Sequence, residues 1–175
     1  MIQISDKSKC CGCEACMEIC PQQYGITMNR DDLHFSYPVI HDDICIDCGQ
    51  CNAVCPYEMQ NAGTDFLTDR DIMVGHRSVA ICDKALDVIR HGGIVAAPVL
   101  SDDCHNLLYK CMSNDEDILN IQYYLQLPAS VYPCMGQIRG YLQQGKEVLF
   151  IGNPCDVAGL KFFLQKNYAN LICGV

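Results

Sequence analysis

Positive charge is scarce in this 175-residue chain. Twelve Lys and Arg stand against 21 Asp and Glu, for a net −9 with histidine neutral. Nucleic-acid binding needs a basic face to neutralise phosphates, so that class of partner is excluded. No apolar run is long enough to span a bilayer, and no secretory or lipidation motif is visible. A cytoplasmic protein without membrane insertion is expected. Also missing are a Ser/His/Asp arrangement, a Walker loop and a dinucleotide fingerprint. His76, His91 and His105 stand isolated. No catalytic residue is nominated.

What the chain has in excess is cysteine, 15 in all. The odd count and the lack of a leader argue against a secreted disulfide framework. Residues 10–21 read Cys-Cys-Gly-Cys-Glu-Ala-Cys-Met-Glu-Ile-Cys-Pro, and residues 45–56 read Cys-Ile-Asp-Cys-Gly-Gln-Cys-Asn-Ala-Val-Cys-Pro. Both follow C-x-x-C-x-x-C-x-x-x-C-P, with Cys11 an extra thiol in the first. Zinc takes four ligands in two pairs, so the third and fourth cysteines of each run are surplus to it. A pattern that occurs twice is not chance.

The double run is the ligand pattern of bacterial two-cluster ferredoxins, in which each run gives three thiolates to one 4Fe–4S cube and its fourth to the other. Cys10, Cys13, Cys16 and Cys55 are expected on one cluster, and Cys45, Cys48, Cys51 and Cys20 on the second. Three-residue spacing wraps the backbone around one cube. Gly12 and Gly49 suit such a loop because glycine takes positive φ at little cost. Pro21 and Pro56 turn the chain away after the fourth cysteine. A short helix between the second and fourth cysteines would aim the fourth thiolate at the far cube. These clusters should act as the core of the first sixty residues, so the apo form is expected to be largely unfolded there.

The remaining cysteines are Cys11, Cys82, Cys104, Cys111, Cys134, Cys155 and Cys173. So many unpaired thiols suit a reducing compartment. Residues 1–62 carry a net −6 and the rest −3. That acidity serves solubility and could add a face for redox partners.

Three segments are expected: 1–62 as a dicluster ferredoxin domain, 63–76 as a linker, and 77–175 as a partial α/β domain. The fold class is α+β, a two-cluster bacterial ferredoxin-like domain followed by that partial α/β domain. A lead-in strand is expected at Ile2–Ile4. Ile26–Met28 and Phe35–Ile40 should form a hairpin over the clusters, around the polar turn 29–32. His34 and His41 are read as surface residues. Residues 57–76 show no clean period. Beyond them the pattern alternates. Helix is expected over Ser78–His91, strand over Ile94–Leu100 and an antiparallel strand over Cys104–Met112. A helix capped by Asn114 should end before Pro128, and another should run from Met135 to Gln144. Strand Glu147–Gly152, a turn at 153–156, helix Val157–Lys166 and strand Asn170–Val175 make a βαβ unit with parallel strands. Cys155 sits in the first turn of its helix, where the dipole should favour its thiolate. It reads as a metal ligand, a reactive thiol or a small turn residue. The chain stops in mid-strand, as a piece of a longer protein would.

Two groups of residues together resemble one family. The double cysteine run, followed by Gly152, Pro154, Cys155, Gly159, Leu160 and Lys161, is similar to the coenzyme F-420 hydrogenase/dehydrogenase beta-subunit family, here as a C-terminally truncated chain. The resemblance implies an iron–sulfur flavoprotein that moves electrons between clusters, FAD and a partner protein or a deazaflavin. It also implies that Cys155, joined by Cys173, belongs to a further cluster whose other ligands would lie past Val175. Relatives use a glycine-rich turn for the flavin. Arg77–Ile81 here has no glycine, so FAD is expected of full-length relatives and not of these residues. Oxidoreductase activity would follow only if FAD bound. The function implied is electron transfer through two 4Fe–4S clusters to a redox partner or flavin domain. The alternative is a non-catalytic ferredoxin-like carrier, or an interaction module whose clusters are structural.

Overall fold

A computed structural model describes residues 7–33, 35–61, 72–73, 79–118, 121, 124 and 127–174. The expected strand at Ile2–Ile4 lies outside them, as do His34 and His76. The front of the chain holds α1 (Ala15–Ile19), the hairpin β1 (Ile26–Arg30) and β2 (Ser36–Ile40), α2 (Gln50–Ala53) and α3 (Pro56–Asn61). Then come β3 (Ile72–Met73), α4 (Val79–Arg90), β4 (Ile94–Leu100), β5 (Leu107–Met112), α5 (Asp115–Ile118), α6 (Cys134–Gln143), β6 (Val148–Ile151), α7 (Pro154–Leu164) and β7 (Leu171–Gly174). Helices and sheets are mixed, as the α+β expectation requires.

The hairpin forms where apolar alternation placed it, with Ile26 opposite Ile40 and Met28 opposite Pro38. Its turn is closed by Asp31, whose Oδ1 accepts from the amides of Leu33 and Phe35. The larger sheet runs β3-β7-β6-β4-β5. Its first four strands are parallel, and β5 closes the edge antiparallel to β4. β4 has the expected limits. β5 starts at Leu107, later than the expected Cys104, because Asp102–Cys104 are spent on the turn. The βαβ unit β6–α7–β7 is present. Its helix opens at Pro154, three residues before the expected start, since Pro suits the first helical turn. The stretch without a period carries two short elements, α3 and β3. β3 owes its place to pairing with β7, which no local pattern announces. Among the described residues the helix after Asn114 ends at Ile118.

Both faces of this sheet are covered, which is why β4 and β6 read as unbroken apolar runs. Val95, Ala97, Leu149 and Ile151 face α4 and α5 through Ile81, Ala85, Val88 and Ile118. Ile94, Ala96, Val148 and Phe150 face the other way, into a core shared with α6, α7 and three front residues, Cys13, Ala15 and Val54. The front of the chain is thus packed on one face of the sheet. No helix is long and apolar enough to cross a membrane among the described residues.

Candidate metal centres

Each cysteine run folds into a loop with two left-handed residues at equivalent places. In the first run these are Gly12 (φ 69°) and Glu14 (φ 62°); in the second, Asp47 (φ 50°) and Gly49 (φ 73°). Glycine therefore takes one of the two positions in each run, but not the same one. Glu14 and Gly49 then start α1 and α2, the expected short helices between the second and fourth cysteines. Past α1 the backbone turns extended at Cys20.

The nine cysteines of the two runs line two separate hollows. Cys10, Cys13, Cys16 and Cys55 line the first, together with the extra thiol Cys11. Cys45, Cys48, Cys51 and Cys20 line the second. The fourth cysteine of each run thus crosses to the other run's hollow. The hairpin roofs both with cross-strand pairs from one face: Met28 and Pro38 over the first, Ile26 and Ile40 over the second.

The donor set tests what these hollows could hold. Among the described residues no three Cys, His, Asp or Glu side chains converge as ligands of a single ion would. The four motif thiols spaced around each hollow suit a polynuclear cluster that presents one iron to each. Burial pushes the Cys16 thiol up to about 12, and the neighbouring charges of Cys10, Cys55 and Cys51 add to the rise. Burial also raises Cys10. Thiolates so crowded need bound cations to remain ionised. The Asp47 amide donates to Cys45 Sγ at 3.4 Å, the kind of N–H···S bond that stabilises sulfur charge. The residues present fit an iron–sulfur cluster in each hollow.

Sequence reasoning missed two carboxylates that fix the first run to the sheet. Glu14 is buried, and its Oε2 accepts from Ser130 Oγ (2.7 Å), Val131 N (2.8 Å) and Tyr132 N (2.9 Å). Glu18 Oε2 accepts from Met135 N at 3.2 Å, and its Oε1 accepts from Gly136 N, so it caps the start of α6. Burial lifts the Glu18 carboxyl to about 7 despite those amides. A signal existed: the equivalent positions in the second run are Gly49 and Ala53, so the two repeats differ where one of them docks. Glu14→Ala strands three donors, two of them backbone amides. It is expected to lower stability by about 3 kcal/mol in denaturant unfolding. Glu14→Gln, which keeps an acceptor, should lose less.

Gly159 of α7 lies against Cys13, where an added Cβ would stand 2.8 Å from Cys13 Cβ and 2.9 Å from its Sγ. Cys155, one turn earlier, interacts with the extra thiol Cys11. Ready ionisation of Cys155 was expected, and the structure corrects this. The hydrogen bond with Cys11, burial and the Asp156 charge all raise its pKa, against a smaller lowering by the Asp156 amide. Asp156 is itself buried, accepting from Tyr109 Oη at 2.9 Å. Cys173 is buried in β7 opposite Phe150. His41 is held by Thr27 Oγ1 at 2.9 Å, while His91 and His105 are exposed beside Asp87 and Asp103.

Residues 9–59 match the family model described as a 4Fe-4S dicluster domain. No curated protein and no solved structure matches the chain. The front of the chain is therefore an iron–sulfur, ferredoxin-like domain, and iron–sulfur electron transfer is the activity this match supports.

Proposed function

We propose that the chain passes single electrons through two 4Fe–4S clusters, the first held by Cys10, Cys13, Cys16 and Cys55, the second by Cys45, Cys48, Cys51 and Cys20. The observation that carries this is the sorting of the eight motif cysteines between two hollows, four to each, with the fourth member of each run exchanged and the extra thiol Cys11 beside the first set. When bound, such a cluster supplies one-electron exchange at a potential set by its charge, hydrogen bonds and burial. The protein's part is to fix the thiols, to exclude water with the hairpin's apolar pairs and to place charge nearby. Lys9, whose ammonium stands 5.5 Å from the Tyr57 ring, puts one positive charge at the first hollow.

The two hollows differ in surroundings, which suggests a direction of flow. The first lies against α7 through Cys13 and Gly159. The second is bordered by exposed Ile46, Asp47 and Cys48, with Asp42 and Asp43 also exposed. The partner at that end would be a redox protein with a basic rim; the acceptor beyond the first cluster would be a flavin domain or a further redox partner. Segments 1–62, 63–76 and 77–175 are read as cluster domain, connection and partial α/β domain. Kinship with the coenzyme F-420 hydrogenase/dehydrogenase beta-subunit family rests on the Gly152–Lys161 motif. Contact of Gly159 and Cys155 with the first cysteine run supports that reading by giving both residues a reason to be there. A reducing, cytoplasmic setting suits the thiol content.

Material purified without oxygen should be brown and carry about eight irons per chain. It should give a paramagnetic signal after dithionite that disappears reversibly on reoxidation. Zinc in place of iron would overturn the ligand assignment. Clusters present but not reversibly reducible would make them structural and end the electron-transfer reading.

A further inference from the structure

Seven cysteines fall outside the two four-thiol sets, and two of these meet away from the cluster sites. Cys111 in β5 and Cys134, the first residue of α6, bring their Sγ atoms to 3.3 Å. A disulfide bond is about 2.05 Å long, so the sulfurs need to close by little more than ~1 Å. Backbone bonds hold both in place. Tyr109 N donates to Ser130 O (2.8 Å), Ser130 N donates to Leu107 O (3.0 Å), and Cys134 N donates to Val131 O (2.7 Å). The segment leading into α6 is thereby stitched to the strand that carries Cys111.

The two thiols are unequal. Cys134 is 1 % exposed, whereas Cys111 is only partly buried. The hydrogen bond between them favours the Cys111 thiolate and keeps Cys134 protonated. An accessible, more readily ionised sulfur backed by a buried thiol is the division of labour that thiol–disulfide exchange uses.

We propose that Cys111 and Cys134 form a reversible dithiol–disulfide couple, a redox site separate from the two cysteine runs. The oxidant is a low-molecular-weight disulfide. The Cys111 thiolate attacks one of its sulfurs, that S–S bond breaks and one small thiolate leaves. Cys134 gives its proton to a departing thiolate and attacks the Cys111 sulfur of the mixed disulfide, expelling the second small thiolate. The pair has lost two electrons and two protons. The small disulfide has gained both as two thiols, and excess small thiol reverses each step. The bond formed would tie β5 to the start of α6, where Met135 and Gly136 amides bind Glu18 of the first cysteine run.

The test uses cluster-loaded protein kept free of oxygen and equilibrated with mixtures of reduced and oxidised glutathione. It is then quenched in acid, alkylated with N-ethylmaleimide in denaturant, digested and weighed. The expected product is one cross-linked peptide pair joining Cys111 to Cys134, lighter than the dithiol by two hydrogens. Its fraction should rise and fall with the glutathione ratio while iron content stays constant. Cys134→Ser should instead trap a glutathione adduct on Cys111, and Cys111→Ser should abolish the cross-link. Full alkylation of both cysteines in the wild-type chain at every ratio overturns the proposal. So does a first cross-link formed elsewhere, such as between Cys11 and Cys155. The wild-type arm decides the question even if a variant misfolds.

Discussion

Stripping iron from the oxygen-free protein with a chelator is expected to abolish amide-exchange protection in β1, β2 and α2 and to leave β4, β6 and β7 protected. The reason lies in the composition of the front core. Its buried members are Cys16, Ile26 and Cys51, packed with Met17, Cys20, Ile40 and Cys55. Four of these seven side chains are proposed cluster ligands, so removing the metal takes away what they converge on. Two isoleucines and a methionine remain. Each contributes about 1.5–3 kcal/mol if fully buried, against an ordering cost of about 1–2 kcal/mol for every residue fixed. Across the thirty or so residues involved, roughly, the balance is lost. Metal-binding free energy here is folding free energy. The loss should be graded. α1 is held to the sheet side by Glu14, Glu18 and Ala15, so its amides should keep more protection than those of the hairpin. Exchange measured by mass spectrometry before and after chelation checks this. Unchanged protection at residues 26–30 and 36–40 would show that the front folds without metal.

Gly159→Val is expected to lower the iron content to about four per chain, by loss of the first cluster alone. A β-carbon at 159 meets Cys13 Cβ at 2.8 Å and Sγ at 2.9 Å. Cys13 cannot retreat without moving its sulfur in the first hollow. Its neighbour Glu14 is tied to the amides of 131 and 132, so the loop resists shifting as a whole. Overpacking of this kind costs about 1–3 kcal/mol for a methyl-sized insertion, and valine adds two further carbons. The second hollow does not touch α7 and should keep its metal. Gly140→Ala in α6 is the control, since a Cβ there meets nothing within 4 Å. It should keep full iron and gain up to about 1 kcal/mol from helix propensity. Iron analysis with thermal melts of both variants distinguishes a specific effect on the first site from general destabilisation.

The parts of this molecule that were legible in the sequence are those fixed by neighbours along the chain. Three-residue cysteine spacing, two-residue alternation in the hairpin and the apolar runs of β4 and β6 each encode local geometry. The structure follows them, down to the limits of β4. What escaped was set by contacts across the chain. Glu14 and Glu18 look like ordinary acidic spacers until the amides of 131–136 are known. Gly159 stands out in the sequence only as a motif residue, and its steric reason appears once Cys13 is placed beside it. The helix start at Cys155 points to a readily ionised thiol, but Cys11, burial and Asp156 raise its pKa. β3 has no pattern of its own and exists because β7 offers an edge.

Under the proposed assignment, in which Cys55 completes the first set of ligands and Cys20 the second, neither thiol quartet can be assembled from a single run. A nascent chain emerging from the ribosome holds only incomplete sets until residue 55 is free. Loading is therefore a late event, and a product cut between the repeats should retain neither cube, where a protein with self-contained sites would lose one and keep the other.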